Sequence, residues 1–223
     1  MHSNYLVPTG REEAWRFTPL SRLAGLHDGS AVKSAAKSLY LKSASQNGVR
    51  AERVDRAVLS NISTSDDIVV QRVHAEAEDA FLLDIAPNIH LVEPIYLGRN
   101  AQSESGAELS RVRISVGAHA HAVVIVENDG HSILGEDIEI LLEDGASLKF
   151  ITLQEWDSTS VHVARHHAIV GRDATFQSIT VSVGGGLVRL LPTVEFAGPW
   201  IFSRVARCLL CNCGTTFGTS YAC

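Results

Sequence analysis

The first 207 residues of this 223-residue chain contain no cysteine. All four, Cys208, Cys211, Cys213 and Cys223, fall in the last 16 positions. A fold so poor in thiols is not built on disulfides and suits a reducing compartment, so a cytoplasmic location is expected. No apolar run approaches the ~18 residues of a membrane span. The opening Met1–Pro8 lacks the basic flank and apolar core of a secretory signal. Dense Lys/Arg clusters are missing too, and the formal net charge is −6, which argues against a nucleic-acid surface. Arg111 and Arg113 read as a solvated strand face. The run Gly184-Gly185-Gly186 lacks the Gly-Lys-Ser/Thr of a P-loop and precedes no helix pattern, so it reads as a glycine turn.

What the chain does contain is a repeat. Ala118, Ala146 and Ala174 stand 28 residues apart, each after Gly or Asp, and each opens a strand-like segment. Upstream, Val112, Ile140 and Ala168 fall in the same register, as do Ile114, Leu142 and Val170. Period-2 alternation is strand patterning, and a fixed period of this size marks a solenoid. Ala120, Leu148 and Phe176 are expected inward and stacked from coil to coil. Further on, Val123, Ile151 and Ile179, then Ile125, Leu153 and Val181, are apolar at odd positions. That change of parity predicts a bend near 121–123. A β-sandwich would also give short strands, but not like residues every 28. Before the repeat, Thr9-Gly10-Arg11-Glu12 fits a capping box, predicting a short helix over 13–17 that ends near Pro19. Trp15 and Phe17 read as anchors on the main body. Val49–Leu59 fits strand or helix, and strands are expected at Ile68–Val70 and Ala80–Ile85. Loops are expected at 98–106 and at Asn128–His131.

Candidate chemistry is sparse. His119 and His121 would share one strand face as a two-ligand metal clamp or as solvated residues. His162, His166 and His167 cluster with Arg165, without a partnering nucleophile, and are expected on a polar outer face. Glu136, Asp137, Glu139, Glu143 and Asp144 show no pairing for acid–base work. Cys208-x-x-Cys211-x-Cys213 is the most ligand-like spacing and a weak metal or iron–sulfur candidate. No catalytic or cofactor-binding residue is assigned. A β-helix sugar-active enzyme would need carboxylates clustered on one outer face, which the sequence does not offer.

Glu12-Glu13-Ala14-Trp15-Arg16-Phe17-Thr18-Pro19-Leu20 resembles the entry motif of SufD proteins. Glu143–Leu148, Gln154-Glu155-Trp156, Val170–Ala174 and Gly185-Gly186 followed by Arg189 resemble the SufB/SufD core. The resemblance runs from about Pro8 to Gly198 and favours SufD over SufB. It implies a mainly β fold, a right-handed parallel β-helix. It also implies a non-enzymatic scaffold of SUF iron–sulfur cluster assembly. The partners implied are SufB-like and SufC-like subunits, the cluster being handled by the assembled complex rather than held as a cofactor of this chain. The expected organisation is an irregular or helical region at 1–65, an incomplete β-helix core at 66–198 and a Cys-containing tail at 199–223. That tail does not resemble the family and is read as a frameshifted end that breaks the strand pattern. The helical domain that docks SufC in the family is then missing, so SufC docking is not expected. The alternative is a metal- or cluster-binding protein using Cys208, Cys211 and Cys213.

Overall fold

The computed structural model describes residues 6–34, 37–60, 62–197, 202–210 and 216–219, with backbone alone at 100–105 and in the last two stretches. The elements are β1 (Leu39–Leu41), β2 (Val49–Asp55), α1 (Ile68–Glu76), β3 (Asp79–Ile85), β4 (Ile95–Val116), β5 (His121–Leu142), β6 (Ser147–Trp156), β7 (Val161–Val170), β8 (Thr175–Gly184), β9 (Leu187–Phe196), β10 (Phe202–Leu210) and β11 (Thr216–Thr219). From β3 onward the strands pair in parallel and wind as a mainly β solenoid of about four turns. Each turn has two long sides. The first side stacks the leading halves of β4 and β5, then β6, β8 and β10. The second stacks β3, the trailing halves of β4 and β5, then β7, β9 and β11. β1 and β2 pair antiparallel to β4 and β3 at the N-terminal end. Among the described residues no helix is long and apolar enough to cross a membrane.

The register differs from the predicted one in its first step. Ser147 lies opposite Thr175 and Ile133 opposite Val161, steps of 28, but His121 lies opposite Ser147 and Val112 opposite Ile138, steps of 26. The stacked column is therefore Ala122–Leu148–Phe176. A slip of two keeps every side chain on its face, so Ala120, Leu148 and Phe176 are all buried as expected. The predicted change of parity does not occur. β5 runs unbroken through residues 121–142, and even-numbered positions stay inward along β6. Ile151, Leu153, Ile179 and Val181 face outward and are half-buried. Their inward neighbours are polar and bond from rung to rung. Thr152 pairs with Thr180 at 2.9 Å, and Ser182 donates to Gln154 at 2.9 Å.

The corners explain the small residues of the repeat. Asn88, His119, Gly145 and Asp173 have φ of 59°, 57°, 69° and 57° and occupy the same corner in successive turns. The sharp reversal needs a left-handed residue there, which glycine, Asn and Asp tolerate best. At the opposite corner Gly184 has φ +79°, and a Cβ on it would stand 2.1 Å from the Trp156 carbonyl oxygen.

Four further local expectations are revised. Ile68–Val70 opens helix α1 rather than a strand. The Asp67 carboxylate accepts from Val69 N (2.9 Å) and Val70 N (3.3 Å), and Ile68, Val69, Val70 and Val73 are buried. Capping and burial override the β preference of branched side chains. The helix predicted over 13–17 is a 3-10 turn at Glu13–Trp15, with Glu12 accepting from Thr9 N at 3.0 Å. The loops predicted at 98–106 and at Asn128–His131 are parts of β4 and β5. Val49–Leu59, left open, is β2 followed by a 3-10 turn at Arg56–Val58. Beyond residue 199 the strand pattern continues: β10 stacks on β8, with Phe202 opposite Thr175, and β11 stacks on β9.

Replacing Gly184 with Ala should therefore destabilise the coil by about 2–4 kcal/mol, whereas Asp173→Gly should stay within about 1 kcal/mol of the parent. Urea unfolding midpoints of the two variants check this, and equal midpoints would contradict the corner account.

Candidate functional site

Two charged networks are buried in the coil, one inside it and one beneath its N-terminal cover. The inner network centres on Arg99 of β4, which is 1% exposed. Its Nε donates to Asn128 (3.1 Å), Nη1 to Ser38 (3.1 Å) and Glu108 (3.0 Å), and Nη2 to Ser110 (3.1 Å) and Glu136. All five guanidinium donors are thus used. Glu136 Oε2 lies 3.3 Å from His162 Nε2. Trp156 Nε1 donates to His162 Nδ1 at 3.3 Å, which leaves Nε2 to carry the proton toward Glu136. Burial alone would raise the Glu136 carboxyl, but the Arg99 charge, with His162 and His166, outweighs it and holds the pKa down to about 2.

The outer network lies on the second side of the coil, covered by α1 and residues 59–67. Positions alternate with the apolar core, and the rungs stack guanidinium or imidazole groups on carboxylates. Arg111, Asp137 and Arg165 form one column, and Arg113, Glu139 and His167 the next. Arg165 grips Asp137 in a bidentate pair at 2.6 and 2.9 Å, and His74 of α1 meets the same carboxylate at 2.5 Å. Arg111 and Arg113 both donate to Glu139 Oε2, at 3.2 and 2.8 Å, and to the Ser60 carbonyl. Arg165 also holds the Thr64 carbonyl at 3.2 Å. Burial would raise the Asp137 carboxyl, and its bonds to His74 and Arg165 lower it instead. Burial and the nearby Arg165 charge push His167 down, toward the neutral form. One turn on, Arg189 pairs with Asp67 (2.5 Å), donates to Ala14 O (3.1 Å) and lies 4.0 Å from the centroid of Trp15. Trp15 is the anchor expected of it, while Phe17 stays 66% exposed.

His74, Asp137 and Glu139 place three ligand atoms within 4.8 Å of one another. A cation there would have to displace guanidinium groups already seated on both carboxylates, so the group acts as a charge ladder instead. Glu136 and Asp137 are weak proton acceptors, because their cationic neighbours lower the basicity of each carboxylate.

The sequence-predicted residues are redistributed. His162, His166, His167 and Arg165 are buried rather than solvated, and so are Arg111 and Arg113. The cause is that both faces of this side are covered, one by the core and one by the N-terminal region. Glu136, Asp137 and Glu139, unpaired in sequence, find partners on adjacent rungs. Glu143 accepts from Ala118 N at 2.8 Å and Asp144 pairs with Arg172 at 2.9 Å, both at an exposed corner. His119 and His121 do not share a strand face. His119 sits in the corner with left-handed backbone, while His121 stacks on His90 with ring centroids 4.1 Å apart. Gly184–Gly186 form the expected turn between β8 and β9. Cys208 lies in β10 opposite Val181, and Cys211 and Cys213 lie outside the described residues. Arg99, Glu108, Asn128, His74, Asp67 and Arg189 were not singled out as site residues. The signal that finds Arg99 and Asn128 is the stacking register, since Arg99, Asn128, Gln154 and Ser182 are one column.

Residues 99–222 match the family model described as "SUF system FeS cluster assembly, SufBD core domain". The chain belongs to the SufBD family. The match begins at Arg99 and takes in every turn from β4 onward, including the last two strands. Among curated proteins, the chain is similar to an iron–sulfur cluster assembly SufBD family protein of Mycobacterium leprae, 32% identical over 195 residues, 86% of this chain and 49% of that protein. A counterpart from Mycobacterium tuberculosis is 31% identical over 194 residues, 86% of this chain and 48% of that protein. The chain spans about half the length of these relatives.

Replacing Arg99 with Met leaves Glu108 and Glu136 buried without their counter-charge and should cost about 3–5 kcal/mol by chemical denaturation. The carboxyl of Glu136 also fixes the acid response. Its folded pKa, about 2, lies below the ordinary 4.5, so its stabilisation is full above pH 4.5 and is lost as pH falls toward 2. The lowered pKa of Asp137 acts in the same direction. His167, held down in the fold, begins to oppose folding once pH drops below its ordinary 6.5. Circular dichroism against pH should show acid unfolding in this window, and a flat profile down to pH 2 would contradict it.

Proposed function

We propose that this chain is a non-enzymatic scaffold component of the SUF iron–sulfur cluster assembly system, working in the cytoplasm in a complex with SufB-like and SufC-like subunits. The observation that carries this reading is the SufBD core match over residues 99–222, which falls on the rungs of the coil. The names of the mycobacterial relatives support it. So does the chemistry of the buried networks, where the carboxylates are neutralised by Arg99, Arg111, Arg113 and Arg165 and serve to fix rungs and cover. Within the family we favour the SufD-like arm, because Trp15 of the entry motif is seated against Arg189 of the coil. A rigid parallel coil suits a scaffold, since it holds partner-facing side chains at fixed spacing.

Co-expression with SufB-like and SufC-like subunits from the same genome tests the proposal. The expected result is recovery of the SufB-like subunit on a tagged copy of this chain. Recovery of neither subunit would count against it. The second reading, a metal site at the cysteines, draws on the placement of Cys208 in a coil strand. Under the scaffold reading, Cys208→Ser combined with Cys211→Ser leaves bound iron and zinc unchanged by elemental analysis. Loss of a stoichiometric metal would favour the cysteine site instead.

A further inference from the structure

His121, expected beside His119, lies instead beside a histidine of the loop between β3 and β4. That loop crosses the start of β5, where an isolated parallel bridge sets His90 opposite His121. Backbone bonds fix the crossing: Asn88 N donates to Ala118 O (2.9 Å), Leu91 N to His121 O (2.9 Å) and His121 N to Ile89 O (2.7 Å). The two imidazoles therefore head one column, followed by Ser147 and Thr175 on later rungs. Both residues are exposed, and their rings are tilted by 32° at the 4.1 Å separation. Neither ring makes a hydrogen bond or ion pair among the described residues. His119 is turned the other way. Its ring lies over Gly145 of the next turn, where a Cβ would stand 2.3 Å from its Nδ1.

We infer that His90 and His121 form a surface site for a divalent transition-metal ion of the zinc and copper class. Imidazole nitrogen is a ligand these ions favour. Zn–N bonds of about 2.0–2.1 Å in a tetrahedral site put two ligand nitrogens about 3.3 Å apart. Residues opposite each other on neighbouring strands, about 4.8 Å apart, project side by side, and rotation about χ1 and χ2 opens the ring stack to that geometry. Unlike His74, Asp137 and Glu139, these two ligands have no guanidinium to displace. Ordering them costs little, since the bridge already fixes both backbones and only side-chain torsions are left to settle. Water completes the shell, because the pair is exposed. The Glu143 carboxylate, seated on Ala118 N at the adjoining corner, biases the local field toward a cation. The bound ion clips the 86–94 loop to the start of β5. The inference is independent of the proposed scaffold role, since it uses two side chains of this chain and no partner subunit.

Calorimetric titration of the full chain with Zn²⁺ tests it, with the four cysteines changed to serine so that thiols do not compete. One ion per chain is expected. His90→Gln and His121→Gln should each weaken binding by about tenfold or more, because a single imidazole then remains. His119→Gln should stay within about twofold of the same background, since its ring is turned away from the pair. Saturating Zn²⁺ should also raise the thermal unfolding midpoint, and that shift should vanish in the His90 and His121 variants. The substituted side chains are exposed, so the circular dichroism spectra should not change. Absence of saturable Zn²⁺ binding overturns the inference. So does binding that keeps its affinity in both variants, or that is lost through His119→Gln.

Discussion

In-register parallel stacking is the constraint on which the rest of this structure depends. Each residue of a rung lies about 4.8 Å from its counterparts above and below. A buried polar group therefore meets the same position of the next turn before it meets anything else. Like charges in such a column would repel in a poorly solvated setting, so the columns alternate: Arg111, Asp137, Arg165 in one, and Arg113, Glu139, His167 in the next. Neutral columns close through hydroxyls and amides, as Thr152 does with Thr180 and Gln154 with Ser182. The geometry of the coil, rather than any local motif, decides which polar residues can be buried.

The same ladder joins the N-terminal region to the coil. Arg111 and Arg113 use spare donors on the Ser60 carbonyl, Arg165 reaches Thr64, and Asp137 receives His74 from α1. Arg189 adds Asp67, Ala14 and the face of Trp15. Buried ion pairs contribute little net stability relative to apolar packing, yet breaking one is costly. Their effect here is to allow one placement of the cover, since a shift of residues 59–67 would take acceptors away from several guanidinium groups. Apolar contacts of Trp15, Leu23, Leu26, Ile68 and Val69 supply the adhesion, and the charges supply the register.

Much of the coil was legible. A 28-residue period and period-2 alternation were enough for a solenoid, because stacked turns demand like residues at like positions. The first step is 26 rather than 28, and the assigned faces survived the error because two is the side-chain period of a strand. The parity change was misread for a physical reason. Outward Ile151, Leu153, Ile179 and Val181 are more apolar than the inward Thr152, Gln154, Thr180 and Ser182. Hydropathy alone reverses the two faces wherever the interior is satisfied by hydrogen bonds. Helix α1 was hidden similarly, its branched residues reading as strand until the Asp67 cap and burial on the sheet are seen.

The sequence by itself determined the kind of fold, the small-residue corners of the repeat and the family, because these rest on periodicity, on small or left-handed corner residues and on short motifs that local physics reads directly. It named Arg111, Arg113, Asp137, Glu139, Arg165 and His167 of the outer network, but not His74, Asp67 or Arg189, and only as scattered or surface residues. Only the tertiary structure decided that they are buried, because partners 26 or 28 residues apart become neighbours only when the coil closes and the N-terminal region lies over it.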